Sequence, residues 1–126
     1  MTSTMDGVDS AIIEPQALDM LVRIGGISLL KGMIQIFLTD VPLRLAKARE
    51  GVTTTDVVVV SRAMHVVKSS AGQMGARRMM DLCEAGEALA RRGEAATLPT
   101  LVAEIDAEYE LVRDQLERVL ADATRA

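Results

Sequence analysis

Apolar residues recur every three or four positions along most of this chain, the spacing that places them on one face of an α-helix. The longest run, Ile27, Leu30, Ile34, Phe37, Val41, Leu45 and Ala48, predicts a helix over about residues 27–50, with a kink expected at Pro42 inside it. A second long seam, Leu98, Val102, Ile105, Tyr109, Val112, Leu116 and Val119, predicts another helix starting near Pro99. Two further helices fit between them. One starts after Thr53, Thr54 or Thr55, any of which could cap it, and runs to about Met74. The other covers about residues 76–92, with Met79, Leu82, Cys83, Gly86, Leu89 and Ala90 inward and Glu84 and Glu87 outward. The β-branched run from Val57 to Val60 leads straight into Ala63, Val67 and Met74 and is read as helix.

A short helix from Pro15 to about Arg23 precedes these and ends at Gly25-Gly26; Gly51, Gly75 and Gly93 mark the other stops. Four long amphipathic segments with short links predict an all-α fold, an antiparallel up-down-up-down four-helix bundle with a short additional helix at its N-terminal end. The expected organisation is a flexible tail over residues 1–10 followed by one helical domain over 11–126.

Composition narrows the function classes. Phe37 and Tyr109 are the only aromatic residues although 49% of the chain is apolar, so the core is aliphatic with an unusual share of methionine. One cysteine, Cys83, rules out an internal disulfide, and with one histidine no zinc spacing can be written, so no metal site is expected. The net charge of −4, with basic residues scattered among carboxylates, argues against nucleic acid and for protein partners. The first ten residues lack the pattern of a signal peptide and no segment is read as a membrane span, so a cytoplasmic protein is expected.

The remaining chemistry gathers around His65. On a wheel of about 100° per residue, Ala63, Val67, Ala71 and Met74 fall opposite this ring, while Val58, Ser61, Lys68, Ser69 and Gly72 fall within roughly 60° of it. His65 is therefore expected to point away from the core. A neutral imidazole is a nucleophile, and a phosphoryl group on it would lie beside the Lys68 ammonium one turn along, with Arg62 about 60° to the other side. Hydrolytic chemistry fits less well, because the nearby serines share the helix with His65 and no carboxylate is expected to orient its ring. There is no Gly-rich nucleotide loop, so a phosphoryl group would come from another protein.

The stretch His65-Val-Val-Lys68-Ser69-Ser70-Ala71-Gly72-Gln73-Met74-Gly75-Ala76 resembles the motif of the histidine-containing phosphotransfer family. Ile24-Gly25-Gly26 within Leu18 to Phe37, then Phe37-Leu38-Thr39-Asp40-Val41-Pro42, and Leu82-Cys83-Glu84 with Glu87, resemble the family's usual surroundings, so the likeness spans about residues 12–118. Ser69 departs from it, since glycine is common there.

The resemblance implies a carrier without catalytic activity of its own, in a two-component phosphorelay. His65 would be the phosphorylation site, Lys68 and the Ser69 hydroxyl would support the phosphoryl group, and Gln73 would orient the end of the helix. Implied partners are response-regulator receiver domains and a sensor histidine kinase, including hybrid kinases. No cofactor is expected on this chain, magnesium being the receiver's. The expected docking face joins Ser61, Arg62 and Gly72 to Leu29 and Met33, which lie off the main core stripe, on a monomer. An alternative reading keeps the bundle as an adaptor or inhibitor that binds receivers or kinases without being phosphorylated.

Overall fold

The computed structural model describes residues 5 and 7–125. Four helices follow one another, α1 (Pro15–Thr53), α2 (Val57–Gln73), α3 (Arg77–Arg91) and α4 (Leu98–Arg125), with no strand among the described residues. Each helix packs against two others, α1 on α2 and α4, and α3 on α2 and α4, which closes the expected antiparallel bundle. Every member of the α4 seam from Leu98 to Val119 is buried, and so is the α1 stripe from Leu30 to Ala48. Between these two helices Phe37 and Tyr109 stack with ring centroids 6.0 Å apart and an interplanar angle of 25°.

The two expected N-terminal helices are joined into α1, which is broken at Gly26 (φ 75°, ψ −172°). Its first arm lies over the α2–α3 turn, where the Glu14 amide donates to the Gly75 carbonyl at 2.9 Å. A Cβ on Gly75 would stand 2.8 Å from both Ala17 Cβ and the Glu14 carbonyl oxygen, so glycine is required by this close approach as well as by its φ of +74°. Pro42 lies inside α1 and no residue around it leaves the helical region; the break in α1 is at Gly26. Part of the expected tail, residues 1–4 and 6, lies outside the described residues. Of the rest, Met5 is buried, Val8 packs on the core, and the Asp9 amide donates to Gln115 Oε1 at 3.1 Å.

Three helix ends share one device. After α2 the Ala76 amide returns to the Ala71 carbonyl and that of Gly75 to Gly72; after α3 the Glu94 amide returns to Leu89 and that of Gly93 to Ala90. After α1 the same pair of bonds runs from Asp56 to Gly51 and from Thr55 to Val52. The left-handed position there is Thr55, with φ 54°, and not Gly51, which stays helical. Gly51 is glycine for a different reason, because a Cβ on it would sit 2.8 Å from Val60 Cγ2 and 3.1 Å from the Asp56 carbonyl oxygen. With the threonines occupied in ending α1, the N-cap of α2 is Asp56, whose carboxylate accepts from the Val59 amide at 3.2 Å.

By length and hydropathy alone, α1 contains a stretch that could cross a membrane, which the sequence reading did not credit. Leu30, Ile34, Phe37 and Val41 within α1 are part of the bundle core.

Candidate functional site

Helix α2 lies between α1 and α3, with Val60, Ala63, Met64, Val67 and Ala71 buried. Helical geometry then turns His65 outward, and its side chain is 60% exposed. The same geometry places Lys68 one turn on, less exposed at 29%, with its stem lying against the bundle.

The ring is not unsupported, and here the structure corrects the sequence reading twice. Glu87 points inward instead of outward, and it supplies the orienting carboxylate that was not expected. Its side chain is only 5% exposed. Oε2 lies 2.8 Å from His65 Nδ1, and Oε1 accepts from Lys68 Nζ at 2.8 Å. A third partner, Arg91, reaches Oε2 at 2.9 Å from one turn along α3. A signal for this was present in the sequence: Glu87 is four residues after Cys83 and eight after Met79, both wholly buried, so a strict wheel puts it on the core side of α3. Its charge, not its position, made it look external.

Burial pushes the Glu87 carboxyl up, but the hydrogen bonds from Lys68 and His65 and the charges of Lys68 and Arg91 outweigh burial and hold it below its ordinary range. It is therefore ionised at neutral pH and can only accept hydrogen bonds. Nδ1 must then carry the proton and donate it to Glu87. In the neutral ring this leaves the Nε2 lone pair free.

Two open grooves flank the ring. One, of about 590 Å³, has Val59, Ala63 and Val66 among its apolar lining and Arg44 and Lys47 of α1, Arg62 of α2 and Arg91 of α3 as its cations. Ser61, half-buried, also lines it. The other groove lies toward the C-terminal end of α2 and brings Lys68, Ser69 and Gly72 together with Met80 and Glu84 of α3. Gly72 is exposed and helical, and a Cβ there would meet Met80 Sδ at 3.1 Å.

Gln73 ends α2, is exposed, and lines neither groove. Leu29 and Met33 are half-buried; Leu29 lies over Gly25 and Met33 packs on the core. The exposed apolar side chains of the second arm of α1 are instead Ile36 (63%) and Leu43 (64%), seven residues apart and so on one line of the helix. Wheel reasoning missed them because they interrupt a polar face instead of extending the core stripe.

A family model for the Hpt domain matches residues 32–121. The chain belongs to the Hpt domain family. The Hpt bundle is also similar to a solved structure, the crystal structure of histidine-containing phosphotransfer protein B (HptB) from Pseudomonas aeruginosa PAO1. The TM-score is 0.82 at 22% identity, covering 92% of this chain and 96% of that one, a likeness of fold. No curated protein matches the chain. Membership of the Hpt family makes this a phosphorelay protein of two-component signalling, and Hpt domains work with receiver domains and kinases.

Proposed function

We propose that this Hpt domain carries a phosphoryl group on Nε2 of His65, receiving it from one receiver-domain aspartate and passing it to another. The observation that carries the reading is the Nδ1 to Glu87 contact of 2.8 Å beneath an exposed ring. In the accepting step Nε2 forms a bond to phosphorus while the bond from phosphorus to the aspartate oxygen breaks, and the aspartate leaves as carboxylate. The proton stays on Nδ1, so the ring gains positive charge as the new bond forms, and the buried Glu87 carboxylate stabilises that charge. Lys68, its ammonium held on the other oxygen of Glu87 at 2.8 Å, adds positive charge close to the ring on which the phosphoryl group forms, and Ser69 and Gly72 leave the ring accessible.

The chain acts as a carrier and has no nucleotide chemistry of its own, and the magnesium that transfer needs is the receiver's. It works in the cytoplasm, as a monomer, beside the receivers it serves. Incubation with a phosphorylated receiver domain and magnesium should give the wild type an acid-labile, base-stable label that His65→Gln lacks, and ATP alone should label neither. Equal labelling of the two proteins by the receiver would remove His65 from the mechanism.

A further inference from the structure

The surface around His65 is electrically lopsided. Toward the N-terminal end of α2, the groove beside the ring is lined by Arg44, Lys47, Arg62 and Arg91 with Glu87 as its one carboxylate. A second groove adjoins it across Ser61 and Arg62, and there Arg62, Arg91 and Arg92 face Val57 and Val58 with no carboxylate in the lining. Toward the C-terminal end, the groove over Gly72 holds Lys68 and Glu84 and is otherwise neutral. This concentration of positive charge stands on a chain whose net charge is −4.

Most of these cations have carboxylate neighbours at the rim. Arg44 pairs with Asp40 at 3.3 Å, Lys47 with Glu50 at 3.8 Å, and Arg92 with Glu94 at 3.3 Å. All are exposed pairs of the kind that contribute about 0–1 kcal/mol each and exchange readily for a better partner. Arg62 is different. It is exposed, lines both grooves, and has no ion pair among the described residues, and it lies one turn before His65 on the side of the ring away from Lys68.

We propose that these cationic grooves are the seat of a carboxylate-bearing edge of the partner protein, with Arg62 as the residue that anchors it and sets specificity. This rests on the phosphocarrier reading and adds an orientation to it: the partner covers His65 with its acidic edge toward the start of α2 and its neutral edge over Gly72 and Met80. Charge complementarity calls for an anionic partner, and the apolar side chains interleaved with the cations select a protein. Val59, Ala63 and Val66 line the first groove, and Val58, which is 55% exposed, lines the second with Val57. A polyanion such as duplex DNA would need several phosphate contacts against an overall negative chain, with no aromatic residue at the surface for stacking. An acidic protein edge on an apolar centre matches what is present.

The test compares Arg62→Glu with Arg118→Glu. Arg118 is an exposed arginine of α4 without an ion pair among the described residues, on a helix that does not pack against α2. Both variants make the same change of charge. A panel of purified receiver domains is offered in two forms, phosphorylated with magnesium for transfer kinetics and unphosphorylated for titration calorimetry, each at low and high salt. Arg62→Glu should raise KM and weaken binding by roughly tenfold at low salt, leave kcat nearly unchanged, and flatten the salt dependence, while Arg118→Glu tracks the wild type.

Labelling of the ring by phosphoramidate, a small donor that needs no docking surface, should be the same in both variants. Equal KM and equal salt dependence for the two variants would overturn the proposal while leaving the carrier reading intact. Loss of labelling from phosphoramidate and receivers alike in the wild type would instead remove the carrier reading, and the calorimetry would still decide the docking edge. Tight binding of a 20-base-pair duplex that Arg62→Glu abolishes, with no receiver bound by the wild type, would assign the grooves to nucleic acid and overturn the proposal.

Discussion

Two glutamates of this bundle are buried, Glu87 of α3 and Glu108 of α4, and they are buried to very different effect. Glu108 is met by Arg78 at 3.3 Å, an exposed cation reaching across from α3 to α4. Glu87 is met by three groups on two helices, and one of them is the ring that is to react. The first arrangement ties two helices together. The second does so too, since His65 and Lys68 belong to α2 and Glu87 to α3, but it also fixes which nitrogen of the ring is free. A buried carboxylate becomes part of a site when its partner has more than one protonation state to choose from.

The largest test of this contrast is removal. Glu87→Ala should slow phosphotransfer by one to two orders of magnitude, roughly the effect of losing the group that orients a histidine ligand. It should also destabilise the fold by about 2 kcal/mol, because Lys68 loses its buried acceptor. Glu108→Ala should leave transfer within about twofold and show only in stability, by about 1 kcal/mol. Transfer kinetics beside urea unfolding would separate the two. A slow Glu108→Ala with a normal fold would break the comparison.

A smaller effect comes from pH. The folded protein holds the Glu87 carboxyl below its ordinary value, so the unfolded chain takes up the proton first as pH falls. The stabilisation from its bonds is therefore complete above about pH 5 and is lost progressively as pH drops through the lower folded value. The stability difference between wild type and Glu87→Gln, followed by urea unfolding from pH 7 to pH 3, should stay level and then shrink. A difference that grew toward acid would mean that Glu87 is protonated in the native protein.

The smallest effect should appear at Cys83, one turn before Glu87. Burial pushes its thiol up to about 12, with the Lys68 charge opposing and the Glu87 charge adding to the rise. Maleimide labelling of native protein should be very slow, rise modestly in Glu87→Gln, and stay unchanged in Glu108→Gln; fast labelling of the wild type would show that the floor beneath the site opens.

How far the sequence reveals this architecture depends on what each residue answers to. The α4 seam and the α1 stripe were legible because burial against two neighbours leaves a periodic record. The outward direction of His65 was legible for the same reason, as the complement of Val67 and Ala71. Glu87 stood on the core side of the wheel but was read outward for its charge, because two of its partners, His65 and Lys68, lie on a different helix, and an unpaired glutamate on that face would be excluded from the core. The end of α1 was misread at Gly51 since a glycine can mark either a left-handed turn or a close approach, and here Thr55 takes the turn. Ile36 and Leu43 share one line of the helix, but two apolar positions on an otherwise polar face do not make a stripe.

The stack of Phe37 on Tyr109 also decides how the molecule behaves toward light. With no tryptophan and a single tyrosine, the chain absorbs weakly near 280 nm and its ultraviolet emission comes from Tyr109 alone, at the seam between α1 and α4. That emission reports whether the two longest helices are joined and is remote from the histidine face. A tryptophan carried by a docking partner would therefore shine against a dark background, and its change in colour on binding would belong wholly to the other protein.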